Sequence, residues 1–246
     1  MVERTSLRTP TTAGLPLLRV YQTEEFPCAY LPEKTAAMYA LDPRVRLNQT
    51  LYSQLIRSGF RRSGDQVYIP HCRSCQACIP LRIPVDRFQP SRSQRRVWHR
   101  NQDLQVHVSN AGYSDEQFDL FRRYVDDKHR DGGMDNPRVE DYLGFLLADG
   151  IDTRFVEFRY RQRLAAVAIT DLLDDGLSAV YTFYDMGLAR RSLGVFTLLW
   201  QIEHCRELGL ERLYLGYWIE ACRKMRYKQY YRPCQILTAD GWQTLA

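Results

Sequence analysis

Between Arg154 and Tyr184 three runs rich in apolar, β-branched and aromatic residues follow one another: Arg154 to Tyr160, Leu164 to Leu173 and Leu177 to Tyr184. They are joined only by R-Y-R-Q-R and D-D-G. Connections this short join neighbouring antiparallel strands, so the pattern predicts a meander. A-R-R-S-L-G-V-F then opens an apolar helix with Phe196, Leu199, Ile202 and Cys205 on its core side, and Gly209 closes it. A further apolar strand, Leu213 to Ile219, follows.

Three antiparallel strands, a helix entered through a basic glycine-containing loop, and one more strand resemble the GNAT acyltransferase outline. The expected fold class is therefore α/β (α+β): a GNAT-like acyltransferase domain with a mixed, mainly antiparallel sheet, over residues 111–246. In that fold the helix N-terminus faces the phosphates of the acyl donor. A small cysteine-containing domain, residues 1–110, is expected to pack against it.

The N-terminal part is more varied. Residues 1–16 read as a loose polar arm, Glu33 to Leu41 as a short helix, and Asn48 to Ser58 as a helix with Leu51, Leu55 and Ile56 on one face. Gly59 to Pro70 reads as a turn and strand, and Leu81 to Val85 and Leu104 to Val108 as strands. Ser114 and Gln117 form a capping-box start for a helix carrying Phe118, Phe121 and Val125. His129, Gly132, Gly133 and Pro137 mark a loop of the kind that forms a lid or junction, and Val139 to Ala148 is a second amphipathic helix.

The net charge of +5 is modest, and its clustering matters more. Arg223, Lys224, Arg226, Lys228 and Arg232 stand in one stretch without a carboxylate, beside Tyr217, Trp218, Tyr227, Tyr230 and Tyr231. Cations alternating with flat rings suit a phosphate backbone ending in unstacked bases. A second patch holds Arg92, Arg95, Arg96 and Arg100 on a helix capped by Ser91 or Ser93.

No apolar run approaches the roughly 20 residues of a membrane span, so no membrane partner is expected. The first residues lack the apolar core of a signal peptide, which points to the cytoplasm and to reduced thiols. Cys72, Cys75 and Cys78 are each three apart, a spacing that can aim three thiolates at zinc or an iron–sulfur cluster. Arg82 stands where a fourth cysteine would complete such a loop, which leaves Cys28 or His71 as fourth ligand. A group of structural thiols is the other reading.

Four blocks resemble a known family. They are G-Y-W-I-x-x-C-x-K-M-x-Y-K-x-x-Y-R-P, G-F-R-R-S-G-x-x-V-Y-x-P, R-F-Q-P-S-R-S-Q-R-R-V and F-Y-D-x-x-x-x-x-R-S-L-G-V-F. Together they look like the arginyl-tRNA–protein transferases, and most like their short bacterial leucyltransferase branch. The resemblance implies transfer of an amino acid from an aminoacyl-tRNA to the α-amine of a protein beginning with Asp or Glu, marking it for N-degron degradation. The branch likeness implies leucyl-tRNA as donor; arginyl-tRNA is the alternative. The family places a cysteine near Cys28 and a pair around Cys72 to Cys78, and eukaryotic members bind an iron–sulfur cluster; here three spaced cysteines replace the adjacent pair, a departure from that pattern.

The donor ester is already activated, so no cofactor is required for the transfer itself. Asp185 is the candidate to hydrogen-bond the attacking amine, or else a cap for its own turn. Tyr217 and Tyr227 are candidates to protonate the leaving ribose oxygen. Arg92, Arg95, Arg96, Arg191 and Arg232 are expected to hold tRNA; Arg223, Lys224, Arg226 and Lys228 are shared between tRNA and the acidic first residue. A CoA-dependent acetyltransferase and a non-enzymatic RNA-binding module with structural zinc are the competing readings.

Overall fold

The computed structural model describes residues 4–6, 18–128 and 136–245. Most of the expected N-terminal arm, and His129, Gly132 and Gly133 of the expected lid loop, lie outside the described residues.

The N-terminal part forms a five-stranded antiparallel sheet. Its strands are β1 (Arg4–Ser6), β2 (Arg19–Gln22), β5 (Met38–Leu41), β6 (Arg61–Ser63) and β7 (Gln66–Pro70), in the order β1-β2-β5-β7-β6. A two-stranded ribbon of β3 (Phe26–Pro27) and β4 (Thr35–Ala36) precedes β5. Helix α1 (Gln49–Arg57) begins at Asn48, whose side chain accepts the Leu51 N–H, and buries Tyr52, Leu55 and Ile56 against Val20, Tyr39, Leu41 and Val67. The helix expected over Glu33 to Leu41 is not formed; those residues supply β4 and β5. Tyr39 to Leu41 are buried in mid-sheet between β2 and β7, and that non-local pairing outweighs local helix preference.

The larger sheet has eight strands. They are β8 (Ile79–Pro84), β9 (Gln105–Asn110), β10 (Thr153–Tyr160), β11 (Arg163–Leu172), β12 (Gly176–Tyr184), β13 (Arg212–Trp218), β14 (Gln235–Thr238) and β15 (Gly241–Thr244). Their order is β15-β14-β8-β13-β12-β11-β10-β9. The expected meander is β10-β11-β12. Its first turn has Arg161 and Gln162 both at positive φ, as a two-residue hairpin requires. β8 and β9 come from before residue 110 yet run inside this sheet, so as a packing unit it begins at Ile79.

Alternation along the strands gives the sheet two apolar faces. Helices α3 (Asp115–Lys128) and α4 (Val139–Leu146) cover one through Phe121, Tyr142, Phe155 and Phe183. On the other, α5 (Leu193–Glu207) sets Phe196 against Val156 and Phe158, and Leu199 and Ile202 against Leu81 and Leu213. Helix α2 (Arg92–Arg100) lies beside α5, with Trp98 against Phe196 at 5.5 Å between ring centroids.

β12 and β13 are the one parallel pair of the large sheet. They are registered only over Gly176↔Arg212, Leu177↔Leu213 and Ser178↔Tyr214. Beyond Ser178 the ladder stops, although both strands continue. β13 keeps its antiparallel pairing with β8 through Trp218, with a register shift at Gly216, which has φ 71°.

The two sheets are joined by a buried ion pair. Arg62 on β6 donates from Nε and Nη2 to the Asp171 carboxylate on β11 at 2.7 and 2.6 Å. The Tyr52 hydroxyl donates to the same carboxylate at 2.6 Å and Thr153 Oγ1 donates at 2.7 Å. Arg62 and Asp171 side chains are 1% and 0% exposed, so either charge alone would be stranded in a medium that penalises it. Arg62→Ala or Asp171→Asn is therefore expected to lower the unfolding free energy by about 3–5 kcal/mol in urea titration.

Candidate functional site

Helix α2 brings the two basic segments together. Ser91 caps it, with Gln94 completing the capping box, and Gln94 Nε2 also donates to the Tyr230 carbonyl at 3.3 Å. One turn earlier, the Gln89 N–H donates to the Arg232 carbonyl at 3.1 Å. At the other end, Asn101 Nδ2 donates to the Arg191 carbonyl at 2.9 Å and Arg100 donates to the Arg190 carbonyl. The segment around Arg223–Arg232, helix α2, and the 3₁₀ turn Met186–Arg191 before α5 are thus connected.

Arg92, Arg95, Arg96, Arg223, Lys224 and Arg226 are exposed. Arg95 donates to the Pro90 carbonyl and Arg226 to the Glu220 carbonyl, both at 2.7 Å. Arg232 is exposed and pins the chain end through the Leu245 carbonyl at 2.9 Å. Tyr227 and Tyr230, 41% and 62% exposed, supply rings beside these cations.

Arg100, Arg190 and Arg191 line an open cavity of about 540 Å³. Arg191 is already matched: it forks onto Asp103 with two 2.8 Å bonds and lies 3.9 Å over the Tyr160 ring. That pairing draws the Asp103 carboxyl below its ordinary range. Arg100 and Arg190 have no carboxylate partner among the described residues, and local sequence pattern gave no reason to separate them from Arg191.

The expected catalytic side chains have different surroundings. Asp185 Oδ1 accepts the Gly187 N–H at 2.8 Å and so caps the 3₁₀ turn. The expectation for Tyr217 needs correction: it is 4% exposed and its hydroxyl donates to the Gly59 carbonyl at 2.9 Å. It joins β13 to the turn before β6 and has no hydroxyl proton left for a leaving group. Tyr227 is 41% exposed as a residue and edge-on to Tyr231 at 6.4 Å, while burial pushes its phenol up to about 12.

Lys228 also differs from its exposed sequence neighbours. The 3₁₀ turn Tyr227–Tyr230 directs it inward to 6% exposure, where Nζ donates to the Tyr217 carbonyl at 2.5 Å. Burial, then the nearby Arg61 charge, pulls its pKa down to about 7. Arg61, which the motif analysis passed over, is 9% exposed. It donates to Ser178 Oγ at 2.8 Å and the Ala179 carbonyl at 2.6 Å, where the β12–β13 ladder ends. The one available signal was two adjacent arginines after Phe60 in a short strand, where alternation alone would bury at most one.

Cys28, Cys72, Cys75 and Cys78 are half-buried free thiols. Burial, reinforced by Cys72, Cys28 and Cys75, pushes the Cys78 thiol up to about 12, so the four sulfurs share one neighbourhood. The donor chemistry suits zinc or an iron–sulfur cluster. Among the described residues, however, no three His, Cys, Asp or Glu side chains converge as a metal-binding group. His71 is exposed and stacks on Tyr39 at 4.1 Å.

Residues 26–96 match the N-terminal part of the arginine-tRNA-protein transferases, and residues 116–238 match their C-terminal part. The chain belongs to the arginine-tRNA-protein transferase family. It is 49% identical over 228 residues to an aspartate/glutamate leucyltransferase of Pseudomonas fluorescens (strain Pf0-1), covering 93% of this chain and 97% of that one. It is 46% identical over 233 residues to the protein of the same name from Hahella chejuensis, covering 95% of this chain and 100% of that one. Among solved structures, L-PGS from Bacillus licheniformis is similar at TM-score 0.45 and 14% identity, over 58% of this chain and 46% of that one, too distant to carry an argument.

Within this transferase-family chain the buried Lys228 has a measurable signature. Unfolded, it titrates near its ordinary 10.5; folded, near 7. Between those values the unfolded chain holds a proton that the folded chain has released, so stability rises with pH. From pH 7 to 9 its contribution to the unfolding free energy is expected to climb by up to about 1.4 kcal/mol per pH unit. Lys228→Met should flatten that slope in urea titrations at pH 7, 8 and 9.

Proposed function

We propose that this chain is an aspartate/glutamate leucyltransferase. It moves leucine from leucyl-tRNA to the α-amine of a protein whose first residue is Asp or Glu, and so marks that protein for N-degron degradation. The observation that carries this reading is the 49% identity running over 97% of a protein of that name. No described helix is long and apolar enough to cross a membrane, and a tRNA donor places the reaction in the cytoplasm.

The geometry supports a division of labour. Arg92, Arg95 and Arg96 on α2, with Arg223, Lys224 and Arg226, form an exposed basic face for the acceptor arm. Bases of its single-stranded end stack on Tyr227 and Tyr230. Arg100 and Arg190 meet phosphate in the cavity that Arg191 frames. The parting of β12 from β13, with α5 beginning nearby, is the GNAT-like feature that receives the aminoacyl ester.

The amine nitrogen then attacks the ester carbonyl. The new C–N bond forms, the C–O bond to the ribose breaks, and a proton leaves nitrogen for the ribose oxygen. Of the two expected tyrosines, Tyr227 is the one left to carry that proton, with its phenol pushed up to about 12 by burial and by Tyr184. Asp185 Oδ2 can accept from the amine while Oδ1 holds the turn. Positioning an activated ester against an amine can supply on the order of 7–11 kcal/mol of the barrier reduction.

Cys28, Cys72, Cys75 and Cys78 have the donor chemistry for a zinc ion or an iron–sulfur cluster, and holding one would require their sulfurs to draw together from their present positions. The transfer does not pass through it. Anaerobically purified protein should show iron–sulfur absorbance or about one zinc per chain, and Cys78→Ser should remove either signal. Stoichiometric absence of both metals would leave these four as structural thiols.

Purified protein given leucyl-tRNA should extend peptides beginning Asp or Glu and ignore those beginning Lys, arginyl-tRNA and acetyl-CoA. Equal use of arginyl-tRNA would move the donor assignment. Arg100→Ala with Arg190→Ala should raise the KM for leucyl-tRNA on the order of tenfold and make its salt dependence shallower by about two phosphate contacts.

A further inference from the structure

The large exposed cations have an obvious task in a tRNA-using enzyme. Two buried ones do not. Arg61 and Lys228 are 9% and 6% exposed, and no carboxylate pairs with either among the described residues. Arg62, the next residue, is held by Asp171 within 2.7 Å, whereas Arg82, 8% exposed, also has neutral partners, Gln235 and Tyr214, and stacks over the Trp242 ring. Burying a cation with only neutral partners is costly, and Arg61 and Lys228 stand in one place, where a single arriving anion would match Arg61 and favour the protonated form of Lys228.

Their positions define one spot. Arg61 spends Nη1 and Nη2 on Ser178 Oγ and the Ala179 carbonyl, immediately past the last rung between β12 and β13. Its guanidinium crosses the Gly216 bulge so closely that a Cβ there would stand 2.8 Å from Nε. Lys228 Nζ sits on the carbonyl of the next residue, Tyr217. The Arg61 charge also acts on the phenols of Tyr30 and Tyr68, which flank the same spot. Arg61 has donors left beyond these two bonds, and Lys228 Nζ has capacity beyond its bond to the Tyr217 carbonyl.

We infer that Arg61 and Lys228 form the receptor for the side-chain carboxylate of the substrate's first residue, and so set the preference for acidic N-termini. This rests on the transferase reading above. Both groups are recessed below the exposed basic face, so the anion that suits them is a single side chain and not the backbone of a polyanion. The α-amine two or three bonds away then lies at the mouth of the parted strands, where the ester is presented. Asn and Gln fill the same volume without the charge, which leaves both cations unmatched.

The test compares peptides beginning Asp, Glu, Asn and Gln at saturating leucyl-tRNA. The parent protein should prefer the acids strongly; a parent that uses no peptide at all would sink the transferase reading, not this one. In Arg61→Met and in Lys228→Met, kcat/KM for Asp and Glu should fall on the order of 100-fold. The values for Asn and Gln should stay within about threefold and the KM for leucyl-tRNA within about twofold. Arg61→Lys, which keeps the charge, should keep the acid preference. If Arg61→Met does not fold, Lys228→Met carries the same comparison. A variant that still prefers Asp over Asn as the parent does, or one that loses all four peptides equally, overturns the assignment; the second result would make the pair counter-charges for the neighbouring thiols.

Discussion

The Arg62–Asp171 pair is the interaction on which the arrangement rests. It is fully buried and reaches from the five-stranded sheet to the middle of the eight-stranded one, and it recruits Tyr52 and Thr153 so that the carboxylate accepts on both oxygens. A buried pair of this kind adds little net stability over a well-packed apolar one, but it punishes any other registration of the two sheets. Because β6 is fixed there, the preceding residue, Arg61, is delivered to the place where β12 and β13 part. The anchor Arg62 and Arg61 are neighbours in sequence because one short strand must serve both sheets.

The second organising element is α2. Its core-facing side packs Val97 and Trp98 against the cluster that holds Phe196 of α5; its exposed surface carries Arg92, Arg95, Arg96 and Arg100, and its two ends meet the segments on either side of the parted strands. A helix that spans the gap this way turns three separate charged stretches of sequence into one surface. The deep pair, Arg61 and Lys228, is distinct from that surface in burial and in chemistry. One set of cations is exposed to water; the other is held in a dry setting.

What could be read from the sequence was whatever depends on near neighbours. The β10-β11-β12 meander, the apolar stripe of α5 and the Ser91 cap are set by period and by turn residues a few positions apart. So was the family, because its blocks are contiguous. Reasoning failed where partners are far apart. Glu33 to Leu41 has helix-compatible composition but lies between two strands that only the fold supplies. Tyr217 was assigned chemistry because it neighbours a basic segment, yet its hydroxyl belongs to Gly59. Lys228 reads as one more surface cation until the 3₁₀ turn rotates it inward.

The place of β8 has a consequence for how such a chain comes into being. This strand is synthesised early, but both of its hydrogen-bonding neighbours, β13 and β14, belong to the last part of the polypeptide. Until those arrive its two edges are bare, and loop closure over most of the molecule must precede the gain from pairing. Both flanks of β8 therefore stay without their partners until residues 212–238 are available, and the strand has an unguarded interval before they close on it.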